Sequence, residues 1–123
     1  YLYDINNSIY IKRRIFMAHW SLITYTRPNT GVDWFTPGAE VMSVIDSYKN
    51  DDVARPTIEL YEKSESADGL KQYYKIKFRD ITASEAMRDN SVYTANATER
   101  TNYCNANDIT CLVEQHGDTE PTL

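Results

Sequence analysis

The chain has 123 residues, 41% of them hydrophobic and 25% charged, with a formal charge of -5. Its length suits one domain around a single hydrophobic core, and its composition is that of an ordinary soluble globular protein rather than a disordered one. The acidity argues against a nucleic-acid footprint despite the local run Lys12-Arg13-Arg14, and no apolar run approaches the roughly 18 to 20 residues of a membrane-spanning helix.

Residues 1–16 differ in character from the rest. Either they are an N-terminal extension before a natural start at Met17, or Ser8 to Phe16 is an extra strand with Ile9, Ile11 and Ile15 on one face. The segment lacks the long apolar run and small-residue cleavage site of a signal peptide. Residues 18–27, AHWSLITYTR, are rich in aromatic and β-branched types and stop at Pro28, which reads as a strand. Alternation puts Trp20 and Leu22 on one face and His19, Ile23 and Tyr25 on the other, so both faces carry apolar groups. A strand of that kind belongs inside a sheet with both faces covered.

Pro28-Asn29-Thr30-Gly31 is turn chemistry, and Asp33-Trp34-Phe35 continues the loop. Thr36 as cap and Pro37 at the first helical position predict a helix over 37–49, with Val41, Val44, Ile45 and Tyr48 as its buried stripe. Strands over 57–63 and 72–79 flank Asp68-Gly69, a strong hairpin signal. Thr82-x-x-Glu85 fits a capping box and predicts a helix that breaks near Asn90-Ser91, followed by a weaker helix over 93–105. Residues 108–115 contain ITCLVE, apolar enough for an interior or near-interior strand. Residues 117–123 read as a polar, mobile tail.

The resulting α+β order is βαββαβ over residues 17–116, the split βαβ or ferredoxin-like arrangement. Right-handed crossovers would place the first strand between the third and fourth in a four-stranded antiparallel sheet, with the helices on one face. Trp20, Leu22, Leu60, Tyr74, Ile76 and Phe78 are then expected to face the helices, and His19, Ile23, Tyr25, Tyr61, Tyr73 and Leu112 the open side. An exposed apolar patch of that kind marks an interface, and a second copy packed sheet against sheet in a homodimer is the simplest cover.

This element order resembles the dimeric α/β-barrel superfamily of ferredoxin-like proteins over about 100 residues, without any diagnostic motif. The resemblance implies a ligand between sheet and helices or at the dimer cleft, and no haem, flavin or other cofactor is identified by it. The expected ligand is a small molecule. Whether the chain is an enzyme is left open; the alternative is a non-catalytic structural or interaction protein, including a viral or phage component, that assembles through a tyrosine-rich sheet face.

Five residues are candidate ligand contacts. His19 opens the first strand and His116 closes the last, antiparallel to it, so the two would meet at one end of the sheet with Glu114 nearby. A pair of histidines with a carboxylate suits metal or acid–base chemistry, although two histidines also meet by chance. Tyr25 faces the same side, and Trp34 precedes a helix start, where it contacts a ligand or plugs the end of the barrel. Cys104 and Cys111 lack metal or redox spacing and read as free thiols of a cytoplasmic protein.

Overall fold

The computed structural model describes residues 17–123. The extra strand expected at Ser8 to Phe16 lies outside the described residues. Within them the order is β1 (His19–Thr26), α1 (Ala39–Asn50), β2 (Ile58–Glu65), β3 (Lys71–Phe78), α2 (Ile81–Asp89), α3 (Ser91–Ala106) and β4 (Thr110–Gly117). The strands form one antiparallel sheet in the order β2-β3-β1-β4. β1 therefore sits inside the sheet between β3 and β4, as its two-sided apolarity requires. None of the helices among the described residues is long and apolar enough to cross a membrane.

All three helices pack on one face. Val41 and Ile45 of α1, Ala83 and Met87 of α2, and Cys104 of α3 close on Ile23, Tyr25, Ile58, Tyr74, Ile76 and Phe78. This inverts the expected phase of β1. Residues paired across neighbouring strands share a face, and Ile23 pairs with Tyr74, Ser21 with Ile76 and His19 with Phe78. His19, Ile23 and Tyr25 therefore face the helices, whereas Trp20 opposite Lys77 and Leu22 opposite Lys75 face the other way. β2 is displaced by a register shift between Ile58 and Leu60, so Tyr61 pairs with Ile76 on the helix side and Leu60 with Lys77 on the open side.

Local signals explain most boundaries. The β2–β3 turn closes with Gly69 at φ +72°, and its carbonyl accepts 2.8 Å from Arg27 Nε. Arg27 also donates to the Val32 carbonyl at 2.8 Å and stacks 4.3 Å from the centre of the Trp34 ring, which ties the 28–37 loop to the hairpin. Helix α1 starts later than Thr36-Pro37 suggested, capped by Gly38 without a side-chain bond. At α2 the cap is Asp80, whose carboxylate accepts from Ala83 N at 2.8 Å, in place of the expected Thr82 box. Asn90 ends α2 and caps α3 by accepting from Val92 and Tyr93.

β4 is an edge strand, not an interior one, and leaves Leu112 and Val113 exposed. The segment after it is held in place. Glu120 pairs with Lys75 at 3.0 Å on the open face and Pro121 is buried. The Lys75 and Lys77 ammonium groups lie 5.8 and 5.5 Å from the centre of the Trp20 ring. Trp20 and Leu22 are thereby buried on the face that carries no helix.

Candidate functional site

The sheet and helices α2 and α3 enclose a cavity of about 180 Å³. Ile23, Ile76, Phe78, Met87 and Val113 form its apolar walls, and Ser21, Ser84, Arg88, Tyr93, Arg100 and Gln115 supply its polar groups. Val113 and Gln115 come from the edge strand and are exposed, so the cavity opens along β4. Gln115 is fixed from below: its Oε1 accepts 2.7 Å from Ser21 Oγ and lies 2.8 Å from His19 Nε2. These two contacts hold the Gln115 amide at the cavity mouth.

Arg100 reaches inward from α3. Tyr93, Arg100 and Cys104 recur at helical spacing on the side of α3 that meets the sheet, and the arginine interacts electrostatically with Tyr25 and Tyr93. Burial works against its charge, but Tyr25, Cys111 and Tyr93 outweigh that effect and the guanidinium stays protonated. Its Nε is buried without a hydrogen-bond partner. No carboxylate of the described residues pairs with it. A second chamber of about 30 Å³, room for one water, lies beyond Arg100 among Tyr25, Tyr61, Tyr74 and Tyr93.

The tyrosines around this chamber stack on one another, with ring centres 5.9 Å apart for Tyr25 and Tyr74 and 5.7 Å for Tyr61 and Tyr74. Burial pushes the Tyr25 hydroxyl well above its ordinary pKa, against an opposing pull from Arg100, and burial does the same for Tyr61. Burial also raises the Cys111 thiol, although Arg100 and a bond from Tyr25 draw it down, and raises Cys104. These groups are neutral near pH 7 and serve Arg100 as dipoles. Both cysteines are free.

No family model matches the chain. No curated protein matches it either. Among solved structures it is similar to the hydroxynitrile lyase from Passiflora edulis, with 16% identity and a TM-score of 0.44 over 84% of this chain and 97% of that chain. At that distance the likeness says nothing about the site.

The five candidate residues do not gather at one place. His19 supports Gln115 at the cavity mouth, and Tyr25 lines the inner chamber beside Arg100. Trp34 packs 6.5 Å from the Tyr25 ring and donates 2.9 Å to Glu65, so it closes the end of the core. Glu114 and His116 stand 3.8 Å apart, and His19 bonds to Gln115 rather than to either. Among the described residues no three histidine, cysteine or acidic side chains gather to hold a metal. Arg100, Tyr93 and Gln115 were not singled out from the sequence. The available signal was an arginine seven residues after Tyr93 and four before Cys104, on the buried stripe of α3.

Proposed function

We propose that this chain is a homodimeric ferredoxin-like protein that binds a small molecule between its sheet and helices α2 and α3. The observation that carries this reading is the cavity itself: apolar walls around a few convergent polar groups, with a charged side chain inside that lacks a charged partner. The placement of β1 between β3 and β4, with the helices on one face, supports the ferredoxin-like assignment. Pairing through the open face is supported by Leu112 there, 53% exposed on an edge strand.

Native mass spectrometry of the purified chain under gentle conditions tests both halves. A dimer carrying extra mass that disappears in a Val113→Trp variant, where the mouth is blocked, is the expected result. A monomer at micromolar concentration overturns the pairing, and extra mass that survives the blocking variant overturns the site. The reading as a non-catalytic assembly module draws on the same exposed Leu112. It loses its tyrosine-rich surface, because Tyr25, Tyr61 and Tyr74 pack towards the helices and Tyr73 alone of that set lies on the open side.

A further inference from the structure

We infer that the ligand is a small apolar monocarboxylate, anchored by Arg100 and received at the mouth by Gln115. This rests on the cavity being a small-molecule site and names the chemistry it selects. Its charged groups are both cations, Arg88 and Arg100. Arg100 has only donors, and no carboxylate of the described residues pairs with it. Gln115 is held at the mouth by Ser21 and His19, with its amide N–H groups as further donors. The wall contains two arginines and no acidic residue, in a chain whose net charge is -5. Cations with no acidic side chain beside them suit a group that only accepts, and a carboxylate matches the guanidinium fork.

The remaining walls set the rest of the ligand. Five apolar side chains favour a ligand with a largely apolar body. The volume of about 180 Å³ lies below that of drug-sized pockets and admits on the order of ten non-hydrogen atoms. Arg88 is exposed at the rim, where it attracts an anion without fixing it, whereas Arg100 is half-buried within. One inner cation calls for one carboxylate and an apolar tail.

The test is titration of the full ¹⁵N-labelled chain with hexanoate and phenylacetate, each compared with its neutral amide, followed through the backbone amides of Ser21, Val113 and Gln115. Each acid is expected to bind about ten- to a hundredfold more tightly than its amide, the range for a hydrogen-bonded charge. Arg100→Met should erase that preference and Arg100→Lys retain part of it. Arg100→Met should leave the amide spectrum dispersed, so that the lost preference is read on a folded chain. Should the amides bind as tightly as the acids in the wild-type chain, the carboxylate assignment is wrong and the cavity stands. Should none of the compounds shift those three amides, the small-molecule site falls with it.

Discussion

Asp80 does for α2 what Thr82 was expected to do, and the difference is measurable. Its carboxylate takes up the Ala83 amide at 2.8 Å while 7% exposed, so Asp80→Ala leaves a buried donor open. Chemical denaturation should show a loss of about 1 to 2 kcal/mol for that variant and almost none for Thr82→Ala. Asp51 offers a second test at this scale. It accepts from Thr57 N at 2.9 Å and from the Thr57 hydroxyl. Slight burial pushes its carboxyl up, and the Thr57 bonds outweigh that and hold it below the ordinary value. A folded pKa below the unfolded one, about 3.9, means the contribution is complete above that pH and is lost as pH falls through the folded value. Asp51→Asn should lower the melting temperature at neutral pH, with the gap to wild type closing below about pH 4. A gap that persists unchanged into strong acid would assign the effect to shape rather than charge.

At the scale of elements, order and type were legible, and facing was legible for β3 but not for β1 or β2. The alternation of Tyr74, Ile76 and Phe78 identified β3 and its buried side, because Lys75 and Lys77 separate them. β1 has apolar residues on both sides, so nothing in HWSLITYT alone sets which side meets the helices. That is decided by pairing with β3. The shift in β2 is likewise invisible from ELYEK, since one extra residue exchanges the faces of Leu60 and Tyr61 without changing composition. The cavity escaped for a related reason: it is shared among β1, β3, β4, α2 and α3, and Arg100 lies on a helix of weak propensity. The hairpin was plain from Asp68-Gly69. With φ at +72°, Gly69→Ala should cost about 1 to 2 kcal/mol in equilibrium unfolding, strain that no local contact relieves.

For the whole molecule, the C-terminal segment closes a surface that the helices leave open. Residues 118–123 meet Lys75 through Glu120, and Lys75 in turn covers Trp20. Removing the charge alone with Glu120→Gln should change stability by less than about 1 kcal/mol, as for other exposed ion pairs. Truncation after Gly117 should lower the melting temperature by about 4 °C or more. In a Trp34→Phe background it should also shift Trp20 emission to the red, because the indole gains water. Emission left unchanged would mean that the segment does not cover that ring.

One feature of β4 links its folding to its chemistry. The ladder that pairs Ser21 with Gln115 and Ile23 with Val113 fixes which alternate residues of the strand line the cavity, and the register shift lies beyond it, between Trp20 and Ser21. In the native register these are Val113 and Gln115. A slip by one position would present Leu112 and Glu114 instead, and would bring a carboxylate to Arg100 from within the chain. In the misaligned strand the guanidinium would be neutralised by a carboxylate of the same chain. Strand alignment thus sets the electrical balance of the cavity.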